Sequence, residues 1–294
     1  QIYDTSTAAD LTVMEESAEL LEHVTAGNEL PLFSSCCPAW VRYVETRHPE
    51  LMEHVSSCKS PMQMFAAVIR EQFRGEPKKH VHIALMPCTA KKREAVREEF
   101  RAADGTQMVD YVLTTQEFVQ MVKESGILLD KIQPEAIDMP FGTMAGAGVI
   151  FGTTGGVTEA VLRRISDNKR GDGIMYQAIR GLDGVKEVNI PYGEKTLHIG
   201  VVSGLGNAEK LIRRIQSGEH FDFVEVMACP GGCINGAGQP FVHKEEKQAR
   251  SNGLYNADRM CSIKSSEENP LIESLYNGLL KGREHELLHV EYKK

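Results

Sequence analysis

The chain has 294 residues, 41% of them apolar, and its 33 basic against 41 acidic residues give a net charge of −8. That is enough apolar material to bury the core of one large domain or two lobes. No apolar run reaches the roughly 18 residues of a membrane span, and the acidic balance argues against a nucleic-acid partner.

The start, QIYDTSTAADLTVMEE, has neither the basic nor the apolar region of a secretion signal, so cytoplasm is the expected location. The periodicity over Ala9 to Val24 predicts an amphipathic helix, with Leu11, Met14, Ala18 and Leu21 on one side and acids on the other. LPLFSS then reads as a strand running into CCPAW and a helix over VRYVETRHPELMEHV. HVHIALM runs into PCTAKK and a helix over REAVREEFRAA. VDYVLT is a strand before the helix TTQEFVQMVKESG. The glycine-rich FGTMAGAGVIFGTTGG leads to a helix beginning near Val157, and VKEVNIPYG with KTLHIGVVSG reads as a hairpin closed by Gly193-Glu194. FDFVEVM runs into ACPGGCINGAGQP, after which the chain turns polar from Ala249, RSNGLYNADRM, before a last helix at NPLIESLYNGLL.

Alternating strands and helices predict an α/β fold. The expected form is two lobes with largely parallel sheets flanked by helices, an active-site cleft between them and a C-terminal wrapping tail, divided as 1–104, 105–248 and 249–294. Ligands in such folds bind outside the carboxyl ends of strands. The glycine-rich segment carries no phosphate-loop or dinucleotide fingerprint. Short basic clusters at Lys78-Lys79, Lys91-Lys92-Arg93 and Arg213-Arg214 read as solvated faces, with room for one to dock an acidic redox protein.

Seven cysteines are an odd number for complete pairing. Cys36, Cys37, Cys88, Cys229 and Cys233 each sit beside Pro or Gly in a turn that follows a strand, whereas Cys58 and Cys261 do not. Soft thiolates in fours suit zinc or an iron–sulfur cluster. Dispersal over almost two hundred residues, without paired knuckles, favours a cluster clasped in a folded cleft over a zinc ribbon, with buried or redox cysteines as the remaining reading. Adjacent residues at a strand end point to opposite sides, so one of Cys36 and Cys37 is expected to ligate while the other stays a thiol able to exchange a proton. Glu16, Glu19 and His23 share one helical face. On the sequence alone that face reads as solvated; burial would instead raise a carboxyl pKa and open a proton relay. Lys91 places a cation beside the Cys88 turn, and Met86 and Met227 read as core.

Taken together, SSCCPAW at 34–40, MPCTAKKRE at 86–94 and EVMACPGGCINGAGQP at 225–240 resemble the three signature segments of [FeFe]-hydrogenases. TAADLTVMEE, SSCKSPMQMF, PFGTMAGAGVIFGTTGGVTEA, SSEENPLIESLYNGLL and HELLHVEY extend the likeness over nearly the whole chain. The resemblance implies reversible interconversion of protons, electrons and molecular hydrogen at an H-cluster, a [4Fe-4S] unit joined to a two-iron unit with CO, cyanide and a bridging dithiolate amine. It implies that Cys37, Cys88, Cys229 and Cys233 hold the cubane, with Cys233 also bridging. It further implies that Cys36 passes protons to the amine, that Lys91 hydrogen-bonds a cyanide, and that Met86, Met227 and Phe141 line the two-iron pocket. The implied proton path runs from Cys36 through Glu16, Ser56 and Glu19, with His23 near the exit. Implied partners are a ferredoxin or similar small electron carrier and hydrogenase maturation proteins.

Ala39, Ala237 and Met62 depart from residues frequent in the family. A further segment that normally precedes DTxxAADLT is not in this sequence, so either the chain is a fragment or it is a reduced enzyme whose pocket is completed some other way, with another chain as a further expected partner. The alternatives are a hydrogenase-like iron–sulfur assembly factor, a sensor without efficient turnover, and, from another class, a zinc-stabilised α/β binding protein. Cys36, Lys91 and Glu16 weigh against the assembly factor, because hydrogen chemistry is what needs them.

Overall fold

The computed structural model describes residues 1–28, 30–102 and 104–292. Its first helix, α1, runs over Ser6–Ala26, uninterrupted by Gly or Pro until Gly27 ends it with a φ of 70°. Strand β1, Leu32–Phe33, leads to α2, Pro38–Arg47, which has proline in its first turn. The helix expected over VRYVETRHPELMEHV stops there. Pro49 disfavours the helical conformation at His48, which takes φ −139° and ψ 54°, and the chain restarts as a 3-10 turn over Pro49–His54.

Next come α3, Pro61–Gln72, capped by the Ser60 hydroxyl, then β2, Ile83–Met86, and α4, Ala90–Ala95. The helix expected over REAVREEFRAA is thus earlier and shorter, and Ala103 at its end lies outside the described residues, as do Lys293 and Lys294 of the tail. Strand β3, Tyr111–Thr114, passes straight into α5, Thr115–Glu124, through a capping box between Thr114 and Glu117. The middle of the chain holds α6, Gly146–Val149, α7, Gly156–Ile165, and α8, Ile174–Ile179. The hairpin of β4, Val185–Tyr192, and β5, Lys195–Ser203, turns at Gly193 with φ 59°, followed by α9, Leu205–Gln216, and β6, Phe223–Met227. The stretch expected to be a polar tail from Ala249 is instead largely helical: α10, Lys244–Met260, precedes α11, Pro270–Asn277, and α12, Glu284–Leu288. Asp258 on α10 is buried in a forked ion pair with Arg163 of α7, at 2.8 Å on each oxygen, which docks the polar helix.

The main sheet has the order β1-β6-β5-β4, parallel except for the β4–β5 hairpin, and β2 pairs in parallel with β3. Every residue of β6 is buried, as a central strand covered on both faces should be. Trp40, Val44, Leu211 and Ile215, from α2 and α9, pack one face of the sheet; Leu20, Val161 and Leu162, from α1 and α7, pack the other. Chain order does not sort the strands into sheets. β1 joins strands of the segment after residue 104, and β2 pairs with β3 across that point. The glycine-rich segment serves close packing rather than phosphate. A Cβ on Gly148 would meet the Ser6 carbonyl at 2.3 Å, and one on Gly156 the Ile150 carbonyl at 1.9 Å. The free N–H groups that open α7, on Gly155 and Thr158, are taken by the buried Glu225 carboxylate at 2.7 and 2.8 Å.

Candidate metal centre

Parallel pairing of β1 with β6 brings two cysteine loops out at the same sheet edge. Ser34 locks them together: its N–H reaches the Val224 carbonyl at 3.0 Å, and its hydroxyl accepts from the Val226 N–H at 3.1 Å. Cys37 caps α2, and its sulfur accepts from the Ala228 N–H at 3.4 Å. The third loop arrives from β2. The Gly238 N–H reaches the Pro87 carbonyl at 3.0 Å, and added side chains at Gly236 or Gly238 would strike Pro87 or Cys88, so both glycines are needed for the loops to close. Ala237 between them supplies its backbone N–H to the Cys229 sulfur and, like every other non-glycine residue among those described, avoids positive φ, which is why alanine is tolerated there.

The four sulfurs feel one another. Burial pushes Cys233 far up, and the charges of Cys37, Cys88 and Cys229 push it further. Burial also raises Cys37 and Cys229, against the pull of their N–H donors, and Cys88 raises both. The raised thiols of Cys37, Cys229 and Cys233, with backbone donors already aimed at two of them, fit a cationic cluster that would relieve the repulsion.

Cys36 follows β1 in the same loop. Burial raises its thiol well above the usual value, and the Glu16 charge is the next cause. Lys91 is buried, donating to Glu94 Oε2 at 2.8 Å and to the Cys36 carbonyl at 3.2 Å, which leaves one of its three donors uncommitted. Burial opposes its charge, but the Glu94 partner raises it above the ordinary lysine value.

Glu16 on α1 is fully buried rather than solvated. Burial, then the charge of Glu19, lifts its carboxyl to about 8, so it holds a proton at neutral pH. It accepts one long hydrogen bond, from the Ser35 N–H at 3.4 Å, and its Oε2 has no partner among the described residues. Glu19, one turn on, is surrounded by donors: the Ser56 and Ser57 hydroxyls, the Ser57 N–H at 3.0 Å and the His289 ring at 3.5 Å. Burial alone would raise it, yet those donors hold it below the usual carboxyl value. The structure therefore joins Ser56 to Glu19 directly, and no direct hydrogen bond joins Ser56 to Glu16 among the described residues.

His23 is turned to other partners, the Leu30 carbonyl at 2.5 Å and Asn28 at 2.9 Å. A different histidine stands beside Glu19. His289, from the last few residues, lies between Glu15 at 2.8 Å and Glu19, and those carboxylates raise it to about 9 although burial opposes the charge. Ser57, Glu15 and His289 were not singled out from the sequence. The only signal was their inclusion in segments of family likeness. Met227 is buried, its sulfur 2.9 Å from where a Gly232 side chain would begin, and Met86 packs beside Met62. Phe141 packs its ring on Tyr3 and Phe65, with centroids 5.2 and 5.4 Å away.

An α/β fold whose strand ends bring four half-buried thiols together fits an iron–sulfur centre. Residues 1–237 match the family model described as the iron-only hydrogenase large subunit, C-terminal domain, and residues 244–294 match that of the iron hydrogenase small subunit. The chain belongs to the iron-only hydrogenase family. A subunit of the NADP-reducing hydrogenase of Solidesulfovibrio fructosivorans is 41% identical over 100% of this chain and 53% of its own length. A solved apo [FeFe]-hydrogenase from Chlamydomonas reinhardtii, 40% identical, superposes with a TM-score of 0.84 over 99% of this chain and 84% of that one. A cytosolic Fe–S cluster assembly factor of Xenopus tropicalis is 30% identical over 99% of this chain and 66% of its own length. The chain spans about half the length of the first two curated hydrogenases it matches. The cofactor of the family is the H-cluster, with its two-iron subcluster. Among the described residues, no helix is long and apolar enough to cross a membrane.

Proposed function

We propose that this chain is the catalytic domain of an [FeFe]-hydrogenase, interconverting protons, electrons and molecular hydrogen. The observation that carries the reading is the buried, proton-holding Glu16 behind Cys36, leading outward on α1 to an ionised Glu19. Cys37, Cys88, Cys229 and Cys233 would hold the cubane, with Cys233 also bridging to the two-iron unit. When bound, the H-cluster supplies the electron store and the metal at which hydrogen reacts.

The chain's own residues orient and move protons. Cys36, neutral in its buried setting, passes a proton between the cofactor pocket and Glu16. Glu16 keeps that proton at neutral pH. Ser56 and Glu19 carry it onward, the latter poised to return to its charged form once the proton leaves. Lys91, braced by Glu94, offers its remaining donor to an anionic cofactor ligand. Met86 and Met227 keep water from the pocket, with Phe141 packed behind α1.

Electrons enter from a small ferredoxin-like carrier, and maturation proteins deliver the two-iron unit. The seven unpaired cysteines suit a reducing compartment, the cytoplasm. The likeness to an assembly factor favours one competing reading, in which the cubane is kept without hydrogen chemistry. Anaerobic reconstitution with the cubane and a synthetic two-iron cofactor decides between them. Infrared bands of CO and cyanide together with hydrogen evolution are expected; a full cubane without those bands would sink the hydrogenase reading.

A further inference from the structure

Glu19 of α1, Cys58 before α3 and His289 after α12 bring a carboxylate oxygen, a thiol sulfur and a ring nitrogen within 4.8 Å of one another. Glu19 Oε2 is 3.7 Å from Cys58 Sγ, and Glu19 Oε1 is 3.5 Å from His289 Nδ1. Ligands about 2.0 and 2.3 Å from a tetrahedral ion lie about 3.5 Å apart, so little movement is needed to close on one.

The backbone holds this spacing. Cys58 and His289 face each other in an antiparallel bridge, the Val290 N–H reaches the Ser57 carbonyl at 2.7 Å, and the Lys59 N–H reaches the Leu288 carbonyl at 2.8 Å. His289 is oriented as a metal-binding histidine is: Nε2 is fixed on the Glu15 carboxylate at 2.8 Å, leaving Nδ1 turned toward Glu19. Glu19 pairs with His289 on one oxygen and accepts from the Cys58 thiol on the other, so the carboxylate links the two remaining donors. Cys58 is fully buried, yet its sulfur faces a carboxylate. Carboxylate, thiolate and imidazole together exclude the hard cations, which take oxygen ligands, and match zinc.

We propose that Glu19, Cys58 and His289 form a binding site for a borderline divalent cation such as Zn²⁺, and that filling it removes Glu19 from proton transfer; this second part rests on the relay proposed above. On binding, the Cys58 thiol and Nδ1 of the protonated His289 each give up a proton to solvent, and Ser57 Oγ, which touches both Glu19 and His289, is placed to take or yield the fourth position.

The test uses protein loaded with its cluster, so that the four cubane cysteines are occupied. It is titrated anaerobically with Zn²⁺ against a chromophoric chelator, the bound zinc is examined by X-ray absorption at the zinc edge, and hydrogen evolution is followed in parallel. One zinc per chain is expected, with one sulfur at about 2.3 Å and nitrogen or oxygen ligands at about 2.0 Å. Affinity should fall roughly tenfold or more in both Cys58→Ala and His289→Gln. Hydrogen evolution, scaled to each protein's zinc-free rate, should fall in step with occupancy. Zinc without sulfur in its shell, or equal affinity in all three proteins, overturns the site. Zinc bound as expected without inhibition overturns the blockade and Glu19's place in the relay, while the metal site stands.

Discussion

Glu16 and Glu19 are the same residue type one turn apart on one helix, and their surroundings drive them in opposite directions. Glu16 is sealed in with a single long hydrogen bond and keeps its proton to about 8. Glu19 is only partly exposed as well, but two serine hydroxyls, a backbone N–H and a protonated histidine hold it ionised. Burial sets the starting cost for both carboxyls; the supply of donors decides which of them escapes it. The result is a step in proton affinity along α1, high beside Cys36 and low toward the outside.

Glu16→Gln removes the inner titrating group while keeping the shape. Hydrogen evolution should drop about 100-fold or more with iron content unchanged, and unchanged turnover would remove Glu16 from the path. Glu19→Gln strips the outer station, where solvent and nearby serines offer partial replacements, so a smaller loss, about tenfold, is expected in the same assay.

His289→Gln should let the Glu19 pKa drift back up. Because His289 is charged up to about 9, its loss should slow turnover several-fold near neutrality, and variant and wild type should converge above pH 9. The histidine is raised in the fold, so its contribution to stability is complete below its usual value of 6.5 and is lost as pH climbs through about 9. A difference in melting temperature between the two proteins that stays constant from pH 6 to 10 would contradict this. The smallest effect is on stability at Glu16. Its raised pKa costs nothing below the usual 4.5, an increasing amount from there to about 8, and its full penalty above. Glu16→Gln should therefore gain thermal stability over wild type between pH 5 and 8.5, by about 2–4 °C per kcal/mol relieved. Equal gains at both ends would point to packing.

The cysteine loops were legible because each is announced locally, by a strand, a turn residue and a thiol within a few positions. The hairpin at Gly193 was legible for the same reason. Glu16 was not, because burial of a helix's polar side depends on what packs there. Here α3, α7 and the tail surround α1, and no pattern within TAADLTVMEE records them. His289 was further out of reach, since its place beside Glu19 is set by a contact spanning the chain. The break at Pro49 and the helix over Lys244–Met260 were errors of another kind. Pro49 is local and visible, whereas a polar stretch reads as a tail by composition although ion pairs can dock a polar helix as firmly as apolar residues can.

The two family matches meet between residues 237 and 244, and the histidine that steadies Glu19 belongs to the second of them. In this molecule the two matched parts are one covalent chain, so the final segment reaches α1 by a first-order event that dilution cannot reverse. A short tether of this kind supplies its partner at an effective concentration in the millimolar range. A cut within residues 238–243 would turn that docking into a bimolecular equilibrium, and the charge state of Glu19 would become a function of how much protein is in the tube.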